Sequence, residues 1–521
     1  MEHKTKNHLA ISPEWVIISG LALAKLMVHL LTMHNFELHR DAYLYYAQSQ
    51  HLAWGYFSVP PFVAFTGWLG TTLWGNTVFA LRIFPALIGA VNVLIIGMAV
   101  RELGGRKAAI LLAGLAYLLS PSYLHTNSLF QPVCFDHFFW LLSSLFILKM
   151  IHRDDPKMWP WLGVAFGLGF LNKYSIVFLI AAFGLALLIS RHRRLFLSKY
   201  FLIALAAGLV MISPNLLWQY QNQWPVWAHM KELHETQLVH VQRSGFVLDQ
   251  FLMNGQALLL WVGAVLFLFF LKKEKQYQVF SWIFLLVIAL LMAGSGKSYY
   301  TLGIYPILFA FGGYLTEKYV HKYIIPATTL LVVNMCVSLY VSLSFDGIPF
   351  ITFEKALNKG FYRWEDGAYH DLPQDMADMT GWKELGQKVA AVYLQLDENA
   401  RGNCDIFCDN YGQAGAVMFY GKKYHLPQPI SLNDSFVFWS PDSLSGEYVI
   451  WVHAGIGSDI DPDTFLPQHF EKVTLKYSID NPYFRENGSR IYLCEKPTSQ
   501  LKGLYQKRLK EERTAGMTKP Q

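Results

Sequence analysis

Charge is what this sequence lacks most. Of its 521 residues only 15% are Asp, Glu, Lys or Arg, against roughly 25% in a soluble globular domain. That is too little polar surface to coat the several globules a chain of this length would otherwise form. Cysteine is scarce as well. There are five, Cys134 and Cys336 inside apolar runs and Cys404, Cys408 and Cys494 in a polar C-terminal part. Their spacings match no zinc motif, and the odd count leaves one over if an oxidising compartment allows a disulfide among the last three. No glycine-rich phosphate loop follows a strand, so no nucleotide-sugar site is expected. The net charge of +6 does not call for nucleic acid, because most of the excess sits in short loops between apolar runs.

What is present is apolar and aromatic: 53% and 16% of residues, with a mean hydropathy of +0.26. That value is high for a soluble protein and low for one wholly in a membrane, so a membrane part plus a polar part is expected. Eleven apolar runs approach the length needed to cross about 30 Å of hydrocarbon at 1.5 Å per residue. They lie near residues 14–33, 78–100, 108–126, 133–151, 159–172, 174–190, 200–217, 255–271, 278–294, 299–316 and 323–344. The pair flanking Asn172-Lys173 reads either as a tight hairpin or as one broken helix. With the N-terminus in the cytosol, inside loops hold sixteen Lys and Arg and outside loops hold Arg40, Lys173, Lys231, Arg243 and Lys297. The positive-inside rule therefore gives a multi-pass membrane protein, its first run read as an uncleaved span and its C-terminal part outside; the inner (plasma) membrane is the expected location.

Two outer loops are long, about 34–77 and 218–254. Both are rich in Trp and Tyr and are expected to form interfacial helices. Beyond residue 345 the texture becomes that of a soluble domain. Thr380 caps a helical period in TGWKELGQKVAAVYLQL, YGQAGAVMFYGKKY reads as a second helix, and CDIFCDNY, GEYVIWVHAG, FEKVTLKYSI and SRIYLCEK read as strands. The expected organisation is a transmembrane module over 1–345, a small α/β domain over 346–500 and a charged disordered tail over 501–521.

Ionisable residues at a membrane boundary are costly and therefore functional candidates. Here they collect on the outer side: Glu37, His39, Arg40 and Asp41 after the first run, Asp136 just inside the fourth, and Lys173 and Lys297 in short outer loops. Carboxylates facing basic groups at one membrane surface suit transfer from a lipid phosphate. A carboxylate takes a proton from an acceptor hydroxyl, and lysine or arginine balances the phosphate that leaves. The bland alternative is a set of solvated caps and snorkelling anchors, and for Asp136 a helix cap.

The stretch FELHRDAYLYYAQSQHLAWGYFSVPP resembles the first external loop of the dolichyl-phosphate-mannose–protein mannosyltransferase superfamily, bacterial branch. LFQPVCFDHFFW, GLGFLNKYSIVFL, SPNLLWQYQNQWPVW, ELHETQLV and GKSYYTLGIYP follow in that branch's order, and the likeness reaches weakly into YGQAGAVMFYG. The resemblance implies a C-type glycosyltransferase fold in a polytopic α-helical protein. It implies transfer of a sugar from a polyprenyl-phosphate carrier to a lipid, glycan or protein acceptor on the outer face, usually with inversion. Aminoarabinose transferases for lipid A belong to the same superfamily.

Carried over by motif, Asp41 is the expected base, with Glu37 four residues earlier as its understudy. A second acid often follows the first in the family, and here Ala42 stands there, which weakens the case for a metal held by such a pair. Relatives often carry TPD in the second loop. This chain has QPV at 131–133, and Asp136 replaces the missing acid only if it faces the same cavity. Lys173 and Lys297 match positions that meet the carrier phosphate, and Arg40, Arg243, Tyr299 and Tyr300 complete the expected substrate-binding set. The rival functions are a flippase or transporter for lipid-linked sugar, which would need matching polar residues on the cytosolic half, and a non-catalytic binder.

Overall fold

Each of the eleven apolar runs carries helix in the computed structural model, which describes residues 12–514 apart from 237, 241, 346–356, 358, 365–366, 456 and 458–459. The basic N-terminal segment, the junction between the two expected domains and the last residues of the chain fall outside the described residues. Among the described residues, six helices are long and apolar enough to cross a membrane: Pro13–Thr32, Val78–Glu102, Pro132–Arg153, Lys199–Gln221, Lys272–Ala293 and His321–Val341. A seventh span forms if Arg243–Met253 and Gly255–Phe270, bent by 61°, are counted together. Other apolar helices are short. Lys107–Leu118 has 12 residues and Ile176–Ile189 has 14, rises of roughly 18 and 21 Å. The eleven runs are therefore unequal in length.

Small residues let these helices approach closely, as is usual where no hydrophobic effect separates protein from lipid. A Cβ at Gly163, on the helix Trp159–Asn172, would lie 2.4 Å from the Ala204 carbonyl oxygen. Among the described residues Lys25 and Arg82 are buried within the membrane module, and both donate to carbonyls. The Lys25 ammonium donates to the Tyr123 carbonyl at 2.9 Å. The Arg82 guanidinium donates to the carbonyls of Met33, Phe36 and Glu37, which fixes the chain's path from the first membrane helix into the first outer loop.

The C-terminal part is an α/β unit around a four-stranded sheet: β1 Cys404–Cys408, β2 Tyr448–His453, β3 Phe470–Ser478 and β4 Arg490–Pro497. The order is β1-β2-β4-β3, with β1 and β2 parallel and the other pairs antiparallel. Strand alternation makes it two-faced. Ile406, Ile450, Val452, Ile491 and Leu493 share a core with the helices Trp382–Gln395 and Tyr411–Gly421, and this core is continuous with that of the membrane module. Phe407, Val449, Trp451, Tyr492 and Cys494 pack on the other side against Leu501, Tyr505 and Leu509.

Those last three residues revise one expectation. From Leu501 to Thr514, the part of the expected disordered tail that lies within the described residues, the chain belongs to a helix, Ser499–Thr514, because an i, i+4, i+8 stripe covers the sheet's second face. Arg513 anchors its end on the Val437 and Ser440 carbonyls at 2.8 and 2.7 Å. The first outer loop is revised as well. Its helix Phe62–Trp74 exposes Phe65, Trp68, Leu73 and Trp74, as an interfacial helix does. The helix Arg40–Gln50 is instead buried from Ala42 to Ser49, under the helix Tyr411–Gly421. Among the described residues Cys404, Cys408 and Cys494 are free thiols.

Candidate active site

Asp41 is the second residue of the helix Arg40–Gln50 and stands where the membrane helices meet the C-terminal domain. One carboxylate oxygen, Oδ1, accepts from the Tyr411 hydroxyl at 2.8 Å. The other, Oδ2, accepts from the Gln131 amide at 3.3 Å. Gln131 immediately precedes the membrane helix Pro132–Arg153. About a third of the Asp41 side chain, 35%, remains exposed, so it is held and still reachable.

Behind Asp41 lies a cluster that sequence reasoning saw only in part. The buried His39 imidazole places Nδ1 3.8 Å from Asp41 Oδ2, and Nε2 3.9 and 3.8 Å from carboxylates of Asp375 and Asp378. His125 meets Asp375 at 3.0 Å, and Arg485 meets Asp378 at 2.7 Å. Burial alone would depress His39, but the surrounding carboxylates Asp375, Asp41 and Asp378 outweigh it and hold the imidazole up at about 9. His39, Asp375 and Asp378 also bring three atoms of metal-ligand type within 4.8 Å of one another. Each is already engaged by a neighbouring charge, and the arrangement reads as an ion-pair cluster joining the two parts of the chain. The two aspartates were missed because their segment, LPQDMADM, has no strong periodicity.

The Arg40 guanidinium lies over the Tyr411 ring, 4.8 Å from the centroid, and 3.6 Å from Glu486. Glu37 makes its contact with the C-terminal domain. Its carboxylate accepts the Lys383 backbone N–H at 3.0 Å, at the start of the helix Trp382–Gln395, a favourable place for a negative charge. Burial pushes the Glu37 carboxyl up from its ordinary value.

The basic side of the site is built from two short connections. Lys173, between the helices Trp159–Asn172 and Ile176–Ile189, lies 4.3 Å from the centroid of the Tyr300 ring and 5.1 Å from that of Tyr299. Burial lowers the Lys173 ammonium to about 8, against an opposing pull from Asp136 and with Lys297 adding to the depression. Lys173 and Lys297 therefore sense each other's charge. Asp136 is buried, and it accepts from the Trp140 indole at 3.0 Å and the Ser175 hydroxyl at 2.9 Å. It thus belongs with Lys173. Tyr299 connects the two sides: burial, Tyr300 and the charges of Asp41 and Asp375 all push its phenol up. Arg243 starts the helix Arg243–Met253 and is exposed; the described contacts do not bring it into this group.

A multi-pass helical membrane module with a carboxylate and a pair of lysines under an α/β domain defines a polytopic membrane protein of the C-type glycosyltransferase fold. Comparisons with known proteins lead to the same class. Residues 58–218 match the family described as dolichyl-phosphate-mannose-protein mannosyltransferase; Asp136 and Lys173 fall inside that stretch and Asp41 precedes it. Lipid A galacturonosyltransferase RgtD of Rhizobium johnstonii is 25% identical over 298 residues, 56% of this chain and 62% of the relative. Lipopolysaccharide core galacturonosyltransferase RgtA of the same organism is 23% identical over 40% of this chain and 42% of its own length. The chain thus aligns with 42% to 62% of the length of these two relatives. The crystal structure of ArnT from Cupriavidus metallidurans bound to undecaprenyl phosphate superposes with a TM-score of 0.60 at 13% identity, covering 93% of this chain and 98% of that one. The protein is akin to the dolichyl-phosphate-mannose–protein mannosyltransferases and carries the fold seen in ArnT.

Proposed function

We propose that the protein is a glycosyltransferase that moves a sugar from a polyprenyl-phosphate carrier to an acceptor hydroxyl on the outer face of the membrane, with inversion. The observation that carries this reading is the pairing of a held, part-exposed carboxylate with a separate basic side. Asp41 lies between Tyr411 and Gln131, and Lys173 lies beside Tyr299 and Tyr300.

The acceptor hydroxyl gives its proton to Asp41 as its oxygen bonds to the anomeric carbon. The bond from that carbon to the carrier phosphate oxygen breaks, and polyprenyl phosphate leaves with the electron pair. Lys173 and Lys297 balance the charge that develops on it. Tyr299, in contact with Lys173, is the residue this reading assigns to the sugar, between base and phosphate. Asp136 supports Lys173 and takes no proton from the acceptor.

The relatives' names direct the first trial. Purified protein is given radiolabelled undecaprenyl-phosphate-linked galacturonic acid, with lipid A and lipopolysaccharide core as acceptors, followed by other sugars on the same carrier. Transfer of label with release of undecaprenyl phosphate supports the reading. Tight carrier binding with no turnover for any sugar would instead favour a non-catalytic binder. The sidedness is tested separately: a reporter active only outside the cytosol is expected to be silent after Lys275 and active after Ser344.

A further inference from the structure

The C-terminal domain touches the candidate base directly, and the contact is built rather than incidental. The helix Tyr411–Gly421 lies on the helix Arg40–Gln50 because two of its positions lack side chains. A Cβ at Gly412 would sit 2.8 Å from the Arg40 Cγ, and one at Gly415 would sit 2.6 Å from the Tyr43 carbonyl oxygen. Neither neighbour is a freely moving side-chain tip, so glycine is what permits this approach. At the far end of the same contact the Tyr43 and Tyr420 hydroxyls are 3.1 Å apart.

The docked helix starts at Tyr411, whose phenol therefore arrives at Asp41. Its backbone N–H donates to the Asn433 side chain at 3.2 Å, and the preceding Asn410 bonds Glu486 at 3.0 Å. Glu486 in turn faces Arg40, and Arg40 covers the Tyr411 ring. The phenol is thus fixed from its backbone, from its ring face and at its hydroxyl. Burial and the Asp41 charge push it far up from its ordinary value, so it remains a donor throughout the working pH range.

We propose that Tyr411 of the C-terminal domain is a positioning residue for catalysis: its hydroxyl orients the Asp41 carboxylate toward the acceptor, and the YGQAGAVMFYG segment exists to deliver it. This rests on the reading of Asp41 as the base. The hydroxyl holds Oδ1 and the Gln131 amide holds Oδ2, so the carboxylate plane is set from both sides, one side contributed by each part of the chain.

The test uses the full-length protein in the transfer assay, with Tyr411→Phe and Asp41→Asn measured together. Tyr411→Phe keeps the ring beneath Arg40 and removes only the donor. It is expected to lower kcat about tenfold, the order set by one hydrogen bond to a charged acceptor. It should leave KM for the carrier-linked sugar and the melting temperature unchanged, so that the loss falls on kcat alone. Gln131→Met removes the opposite donor and is expected to lower kcat in the same way, again at unchanged KM.

Wild-type kcat in Tyr411→Phe, with Asp41→Asn inactive, would overturn the role of Tyr411 and leave the base standing. A fall in kcat accompanied by a raised KM and a lower melting temperature would also overturn it, in favour of simple support of the fold. Near-normal turnover in Asp41→Asn would remove the base itself and this proposal with it.

Discussion

The Lys173 ammonium rests 4.3 Å from the centre of the Tyr300 ring, and this contact explains how a lysine with a depressed ammonium is kept in place without a carboxylate bonded to it. A ring face attracts a cation at little cost in hydration. It also leaves the ammonium's three donors available to a phosphate.

The ammonium of Lys173 is lowered to about 8. Below that pH it is charged and attracts the anionic carrier; above it the attraction is lost. Affinity for undecaprenyl phosphate, measured by fluorescence or native mass spectrometry, is therefore expected to fall as pH rises through about 8. In Lys173→Met the affinity should be weaker at pH 7, by roughly tenfold for one charge-assisted contact, and flat across that range. An unchanged pH dependence in Lys173→Met would refute the assignment.

Asp136 supports the charge on Lys173 and has its own partners in Trp140 and Ser175. In Asp136→Asn the supporting negative charge is gone, so Lys173 loses its proton more easily. The drop in carrier affinity is expected to begin at lower pH than in wild type. kcat at saturating donor well below that drop should change much less than in Asp41→Asn. If Asp136→Asn instead abolishes kcat without touching carrier affinity, Asp136 is the base.

Asp41→Asn retains size and can still accept from Tyr411, but it takes no proton. A positioned base is worth about 10²- to 10⁴-fold, so kcat is expected to fall by that order while carrier affinity and thermal stability stay near wild type. Glu37→Gln is expected to leave kcat close to wild type and to lower the melting temperature, because Glu37 bonds the start of the helix Trp382–Gln395. The opposite pattern would move the base to Glu37.

His39 gives a pH dependence of stability. Its imidazole is held at about 9 in the folded protein against roughly 6.5 when unfolded. The stabilisation is fully present below the unfolded value and is lost as pH rises through the folded one. The melting temperature of wild type in detergent is expected to decline between about pH 6.5 and 9. In His39→Gln this decline should be absent, with a lower value at pH 6.

Much of this site was legible because a charge beside an apolar run is conspicuous. Asp41, Asp136, Lys173 and Lys297 could be read that way, and so could the connection between two short helices at Asn172-Lys173. What sequence reasoning missed has ordinary local chemistry. Gln131 looked like a departure from a motif, and only the fold shows its amide on Asp41. Tyr411 is one tyrosine among 28, and its role follows from two glycines that bring backbones together. The helix Ser499–Thr514 was hidden because its charged residues dominate its composition, while the stripe that buries it is three residues, Leu501, Tyr505 and Leu509. Glu37 and Arg40 lie close to Asp41 in sequence, yet their contacts are with Lys383, Tyr411 and Glu486 of the C-terminal domain, which only the fold reveals.

Tyr411 follows Asp41 in the chain by 370 positions. At a synthesis rate of about 5–20 residues per second, roughly 20 to 70 s separate the appearance of the two on the ribosome. Throughout that interval the membrane helices can insert and the first loop can emerge, yet the carboxylate has no partner from the far end of the chain. On the proposed roles of Asp41 and Tyr411, competence for turnover is a late event in the protein's life. A nascent or truncated chain already able to hold lipid would be slow to spend it, and the rate at which active enzyme accumulates after a pulse of synthesis should follow the folding of the C-terminal domain rather than membrane insertion.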